Sequence, residues 1–465
     1  MQKFISYTLV AFLSLVGSFQ PLQCSAQYGL SNAYIGFNGL SGSQLFPSKY
    51  DLGERRVMIA GGLNVWSGQS FVDFGTVYGV LQDQELTKNT VNRILGDSRG
   101  RGILGIGVDW QLFALGLQFR PGSRPLNLSF GITERIGANF SFSTGFLEFA
   151  WRGNKPFAGR WLGLGPTTLN STWNREFALG FSLPVLGSMD KFGLQIGARA
   201  KYILGITAAY TRKGKASIYT DPEGEYIDMA LNYELLVSGP FDNFTNFNNL
   251  QGLFSGSGHG FAFDLGATGY LTQNFEVSIS ALDVGRMFYR NAKRYSQNGL
   301  VRFEGMAIGN LFGDSRLNVD SLVYLFAPNE DNANFNMPLG TRIVIQAEYK
   351  TPRETKKGLP FNSNTVYLTY IQGVGDLPGA TLRPFVSVGY SHCFAKVFTI
   401  GVNGGYGGFN NWQAGVQLGF DIADVVKFAI GSDNLLGFAG LARQRVGNGV
   451  DVFMHGSLAF GRMKR

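Results

Sequence analysis

The sequence is poor in charge, cysteine, histidine and long apolar runs. Only 15% of its 465 residues are charged, against ~25% in an average globular domain. With 45% hydrophobic residues, this balance excludes a solvated, disordered chain and argues against a cytosolic enzyme. The two cysteines, Cys24 and Cys393, are too few for a disulfide framework or a cysteine metal cluster. The three histidines, His259, His392 and His455, would have to converge from distant strands to hold a metal. Beyond the N-terminus no apolar run reaches the ~18 residues that a membrane helix needs. A membrane protein built from this chain must therefore be a closed β-barrel, which satisfies its backbone hydrogen bonds without helices. No Pro/Ser-rich linker or block of like charge divides the chain, so it reads as one domain.

Glycine and phenylalanine are abundant, with 64 and 40 copies. They are arranged with a period of two. Phe177, Leu179, Phe181 and Leu183 alternate with Glu176, Ala178, Gly180 and Ser182. The pattern restarts with Phe192, Leu194, Ile196, Ala198, Ala200 and Tyr202, interleaved with Lys191, Gly193, Gln195, Gly197, Arg199 and Lys201. A period of two means a strand with one apolar and one polar face. Soluble strands average ~5–6 residues, whereas ~9–11 residues suit a tilted crossing of a bilayer. Comparable runs recur around Leu104, Leu115, Leu128, Phe263, Ile345, Val416, Phe428 and Met454. They amount to about 14 strands, within 12 to 16, of an all-β, single antiparallel transmembrane barrel. The parity of the pattern flips near Gln111–Leu112, which marks a tight turn or a bulge.

The charges on the quiet face decide which face meets lipid. Arg135, Arg199, Lys201, Asp264, Asp283, Arg342 and Glu348 are the candidate lumen-facing residues. Each Lys or Arg turned to lipid at the midplane would cost ~2–4 kcal/mol, and several together would exceed a typical domain's stability. They must face the interior, with Phe, Leu and Val outward. Tyr202, Tyr349, Trp412 and Phe460 sit near strand ends, where interfacial aromatics belong. Asp264 and Asp283 are each part of an Asp-x-Gly sequence on neighbouring strands. They are expected to pair with lumenal Arg199, Lys201 or Arg286, or to form part of a substrate or ion path.

The N-terminus reads as a secretory signal. Lys3 precedes an apolar run to about Val16, and small residues at Cys24-Ser25-Ala26 invite cleavage after Ala26. A lipoprotein reading on Cys24 is weaker, since Gln23 is a poor residue before a lipidated cysteine. Cleavage removes one positive charge, Lys3, from the formal +8. Residues 27–56 read as an irregular mouth or plug segment, and 57–465 as the barrel. A helix is predicted over 83–95, ended by Gly96. Residues 152–173, 220–258, 305–318 and 327–338 read as loops, parts of 220–258 extending strands beyond the membrane. Gly404 to Gly408 reads as a turn, with no Lys-Ser/Thr behind it to make a phosphate loop.

A set of segments between 152 and 310 carries a family resemblance. Gly153-Asn154-Lys155-Pro156-Phe157-Ala158-Gly159 precedes Glu176-Phe177-Ala178-Leu179-Gly180. Gly197-Ala198-Arg199-Ala200-Lys201-Tyr202-Ile203-Leu204-Gly205 follows, then Gly260-Phe261-Ala262-Phe263-Asp264-Leu265-Gly266-Ala267 and Ser280-Ala281-Leu282-Asp283-Val284-Gly285. The set resembles a family of Bacteroidota outer-membrane barrels with no assigned function, and is similar more distantly to FadL-like and type IX secretion-associated barrels. The chain departs from that pattern in three places. Phe46-Pro47-Ser48 stands where Asn-Pro-Ala is common, Phe288-Tyr289 where a Trp is common, and Phe460 is followed by Gly461-Arg462-Met463-Lys464-Arg465 instead of ending the chain.

Catalytic and cofactor chemistry find little foothold. Ser257 or Ser457 beside a histidine lacks an orienting third group, and Cys393 reads as a strand-end residue. No cofactor or metal is expected. The basic residues are scattered, which excludes a nucleic-acid groove. Asp320-Ser321-Leu322 matches a short glycosylation pattern. The expected location is a Gram-negative outer membrane, with lipid as the first partner. The FadL-like resemblance and the long lead-in segment imply passage of a small hydrophobic or amphipathic molecule. The alternatives are an accessory barrel that binds secretion-system proteins through its loops, and a secreted soluble β-protein. Nothing in the sequence sets an oligomeric state.

Overall fold

The computed structural model of the protein describes residues 44–49, 52, 55–73, 75–76, 79–80, 87–97, 100–120, 124–187, 192–239, 256–304, 328–354, 360–440 and 447–462. The signal segment 1–26, residues 27–43, the Asn/Phe-rich stretch 241–254, the loop 305–318 and Asp320-Ser321-Leu322 lie outside the described residues.

Strands dominate. In chain order they are β1 (Arg55–Gln69), β2 (Arg101–Phe119), β3 (Leu126–Ser143), β4 (Trp161–Gly163), β5 (Thr168–Gly187), β6 (Gly193–Thr220), β7 (Ile227–Ser238), β8 (Gly258–Tyr270) and β9 (Phe275–Phe303). They continue with β10 (Asn329–Pro338), β11 (Arg342–Glu354), β12 (Pro360–Gly373), β13 (Phe385–Phe394), β14 (Phe398–Gly407), β15 (Trp412–Ile422), β16 (Val426–Ser432) and β17 (Gly449–Arg462). Fourteen of them, all but β4, β7 and β10, form an antiparallel wall that closes where β1 pairs with both β2 and β17. Closure leaves this wall no free edge. No helix among the described residues is long and apolar enough to cross a membrane.

The alternation reads as expected on the wall. Leu179 and Phe181 on β5, Phe261, Phe263 and Leu265 on β8, and Val386 and Val388 on β13 are exposed on the outside, while Glu176, Lys201, Asp264 and Ser387 are buried inside. Exposed apolar patches on soluble monomers rarely exceed a few hundred Å², so this continuous outer belt is a lipid-facing surface. A soluble sandwich would turn the same residues inward. Among the described residues the belt has one charged pair. Arg175 Nε donates to Glu134 Oε1 at 2.5 Å and Trp173 Nε1 to Glu134 Oε2 at 2.9 Å. The parity flip at Gln111–Leu112 is a bulge within a continuous β2, where the register to β3 shifts between Gln111 and Phe113.

Several connections differ from the sequence reading. Residues 327–338 form β10 instead of a loop, zipped to β9 by Lys293–Glu330 (2.7 Å) and by the Arg294–Asp331 pair. The 152–173 loop contains β4 and the start of β5, and 220–258 contains β7. Gly404 and Gly405 belong to β14, and the turn begins only at Gly407 and Gly408. The first helix, α1 (Lys88–Asp97), runs past Gly96. Two further short helices are α2 (Thr144–Arg152), capped by the Ser143 hydroxyl, and α3 (Leu436–Gly440).

β6 and β9 have 28 and 29 residues and outgrow the wall. Their first halves flank β8, and their second halves flank β7. β7 and β8 are therefore successive parts of one sheet position, separated by the insertion at 239–257. β10 and β11 share a position beside β9 in the same way. The result is a small sheet standing beyond the wall at the end of the long loops.

Candidate functional site

The inward face of seven successive wall strands carries one continuous set of ion pairs. Asp109 (β2) accepts from Arg135 Nε (β3) at 2.9 Å, and Arg135 also meets Glu176 (β5) at 2.9 Å and Asp283 (β9) at 3.2 Å. Arg199 and Lys201 (β6) meet Asp264 (β8) at 2.7 and 2.9 Å. Lys201 and Arg342 (β11) each reach Asp283 at 2.5 Å. Four cations face four carboxylates, so the set is formally neutral. The reach from Arg135 to Asp283 crosses three intervening strands, which places it in the lumen.

Asp283 is the hub, and its backbone explains why. Two residues of β9, Leu282 and Asp283, oppose Asp264 of β8, where the register shifts between Phe263 and Leu265. Asp283 takes φ +56°, in the left-handed region, which Asp tolerates better than most residues. Its N–H donates to Asp264 Oδ1 at 2.7 Å. A bulge of this kind re-aims a side chain. Without it, Asp283 would continue the outward parity of Ile279 and Ala281.

The segment before β1 enters the lumen from the short-turn end. Pro47–Lys49 forms a 3-10 turn. Gln44 O accepts from Arg199 at 3.1 Å, Leu45 O from Ser280 Oγ at 2.6 Å, and Ser48 Oγ lies 2.8 Å from Thr268 Oγ1. Lys49 sits between Glu276 (2.9 Å), Gln346 (2.9 Å) and Glu348, and Lys350 closes this second balanced set at 2.8 Å from Glu276 and 3.0 Å from Glu348. Leu45 and Phe46 are buried with Leu282, Val344, Ile371, Phe385 and Phe453, side chains from opposite parts of the wall. The segment thus fills the lumen. It fits because its seat has no side chains. A Cβ on Gly197 would lie 2.2 Å from Pro47 O, and one on the paired Gly266 would lie 3.1 Å from Pro47 Cδ.

At the other end the β12–β13 connection, residues 374–384, folds across the lumen. Leu377 and Ala380 form an isolated bridge in it. Arg101 holds Asp376 at 2.8 Å, Asn170 donates to Asp376 O at 2.9 Å, and Asn139 donates to Ala380 O at 3.3 Å. These three partners lie on β2, β5 and β3, on the far side of the barrel.

Between this loop and the ion pairs lies a small pocket, part of it open to solvent. Asp109, Arg135, Glu176, Asp283 and Arg342 form its polar side, and Trp66, Met287, Met337, Leu339 and Pro378 its apolar side. Its lining sets charged groups against apolar ones, the chemistry that an amphipathic molecule would meet.

Six of the seven residues singled out by sequence, Arg135, Arg199, Lys201, Asp264, Asp283 and Arg342, come together in the first set. Glu348 belongs to the second. Arg286 takes no part: the bulge at Asp283 turns it to the exposed outer side. Sequence reasoning missed Lys49, Glu276 and Lys350, and also the pocket residues Asn64, Trp66, Asn174, Met287 and Met337. The histidines do not converge. His259 pairs with Tyr202 on the exposed side at 2.6 Å, His392 lies beside Asn364 at 2.8 Å, and His455 is buried on β17. The Ser257 hydroxyl donates to Ile206 O at 2.9 Å and is turned to backbone, not to His259. Cys393 is half-buried, one residue from the end of β13. Among the described residues no group of His, Cys, Asp and Glu has the geometry of a metal site.

A closed wall with a lipid-facing exterior, a lumen filled from one end, a loop across the other and a pocket between them define a plugged membrane β-barrel. Within that class the chain belongs to a family of unknown function, DUF5723, which it matches over residues 56–433. A comparison with curated proteins finds no match. Similar solved structures include a deltaS2S3 mutant of the TodX monoaromatic hydrocarbon channel, at 9% identity over 91% of this chain and 95% of that one, with a TM-score of 0.45. The P. putida toluene transporter TodX is similar at 8% identity, covering 92% and 95%, with a TM-score of 0.43. A Pseudomonas aeruginosa FadL homologue is similar at 10% identity, covering 95% and 99%, with a TM-score of 0.41. Likenesses this distant carry no argument about what the chain does.

Proposed function

We propose that the protein is a Gram-negative outer-membrane barrel, exported by a signal cleaved near Ala26, that passes a small hydrophobic or amphipathic molecule. The observation that carries this reading is the half-polar, half-apolar pocket held inside the lumen between the inner segment and the 374–384 loop. A purely structural barrel has no use for such a pocket. Short turns of outer-membrane barrels face the periplasm, so the loop 374–384 stands on the outer side and Leu45–Lys49 on the periplasmic side. A molecule would enter past the loop, rest in the pocket and leave when the inner segment moves.

Locking that segment tests the reading. In a background with Cys24→Ser and Cys393→Ser, the pair Ser48→Cys and Thr268→Cys replaces two oxygens 2.8 Å apart. Oxidation is expected to stop uptake of a small hydrophobic dye by cells carrying the barrel, and a reductant to restore it. Equal uptake by the locked and reduced forms would remove the segment as a gate.

A second reading has its own observation. The sheet of β7, β10 and the far halves of β6 and β9 stands beyond the wall, as a contact surface for secretion or assembly partners would. Recovery of such partners on the barrel, with dye uptake unaltered when the segment is locked, would favour it.

A further inference from the structure

The pocket also has a preference written into its polar side, an inference that rests on the passage reading above. Asn64, Asp109, Arg135 and Asn174 lie in register on four adjacent strands, β1, β2, β3 and β5. Asn64 is 2% and Asn174 3% exposed, and both line the pocket. The Oδ1 of each has no hydrogen-bond partner among the described residues. Buried polar atoms are nearly always paired, and an unpaired one calls for an explanation. The middle of the row offers nothing to an incoming ion. Arg135 is already shared by Asp109, Glu176 and Asp283, and Arg342 is held by Asp283. An anionic head would find both pocket cations neutralised and three carboxylates in the wall, and like charges at close quarters are strongly disfavoured.

We infer that the pocket selects an uncharged, hydroxyl-bearing head on an apolar body and discriminates against a carboxylate. A hydroxyl donates to one of these carboxamide oxygens, while the body lies against Trp66, Met287, Met337 and Leu339. Such a site rejects an analogue that lacks the matching group, because its own buried polar atoms then stay unpaired.

The test is calorimetric titration of the full-length protein in an amine-oxide detergent at pH 7.5, with 1-octanol, octanoate, octylammonium and toluene. Octanol is expected to bind at least about tenfold more tightly than octanoate, the size of one well-made buried hydrogen bond, and more tightly than octylammonium. The double variant Asn64→Leu, Asn174→Leu is expected to lose the octanol preference and keep toluene binding. Octanoate or octylammonium binding as tightly as octanol to the unaltered protein overturns the head-group assignment and leaves passage standing. An unchanged octanol preference in the folded double variant overturns the role of the two carboxamides. If none of the four binds to protein that keeps heat-modifiable gel mobility, passage through this pocket falls, and the inference with it.

Discussion

Asp283→Asn is expected to destabilise the barrel by about 3–5 kcal/mol, the usual cost of removing one partner from a buried charge pair. Three cations, Arg135, Lys201 and Arg342, converge on that carboxylate. Asn keeps the size of the side chain and tolerates the left-handed backbone at this position. The loss therefore reports charge and not strain, whereas Asp283→Ala would add both. Arg342 and Lys201 are nearly sealed from solvent, with side chains 9% and 3% exposed. Water cannot take the place of the lost carboxylate there. The measurement is the temperature at which the folded gel form converts to the unfolded one. Arg286→Ala is the control: its side chain points outward and belongs to neither set of ion pairs, so its removal is expected to cost no stability. An Asn variant that unfolds with the wild type would show that the ring contributes nothing to the wall.

Gly197→Val is expected to open the lumen. Its Cβ alone would stand 2.2 Å from Pro47 O and 2.3 Å from Pro47 C, and the contact is with backbone, which has no rotamer to yield. The added methyls make coexistence impossible unless Leu45–Lys49 leaves its seat. The wall should survive, because Gly197 is paired within regular ladders to β5 and β8, and Val suits a strand. Single-channel conductance in planar bilayers should rise several-fold over the wild type. The segment around Ser48 should also become accessible to protease. A folded Val variant with wild-type conductance and wild-type protease resistance around Ser48 would mean that the segment keeps its seat.

The wall was legible because its physics is local. Alternation fixes two faces, and the cost of charge in lipid decides which of them is outside. The positions of Arg199, Lys201 and Asp264 followed from parity alone. Arg286 did not, because the bulge reverses parity three residues earlier, and the sequence shows this only as two consecutive inward residues. β10 reads as a loop in the sequence, and Asn329, Asp331, Asn332, Asn334 and Asn336 are indeed poor strand formers. Pairing with β9 and two ion pairs override that preference. Lys49 lies in a segment without periodicity, so nothing tied it to Glu276 and Glu348, more than two hundred residues away. Gly197 and Gly266 counted only as small residues on a quiet face. Their use as a seat depends on a segment that arrives from outside the wall. Asn64 and Asn174 look like ordinary polar positions until the barrel closes and the 374–384 loop covers them.

The bulge at Asp283 works as a change of reading frame along β9. Before it the inward residues are Ser278, Ser280 and Leu282; after it they are Asp283, Met287 and Tyr289, with Val284 and Phe288 outside. Straightening the bulge with every residue kept would turn the remainder of the strand inside out, presenting Val284 and Phe288 to the pocket and Met287 to the exterior, whereas deleting Asp283 would remove the hub and leave Met287 facing inward. The hub that gathers the cations and the methionine that lines the apolar side are thus set by one insertion. Both sides of the pocket therefore depend on the chain keeping its extra residue at one point of one strand.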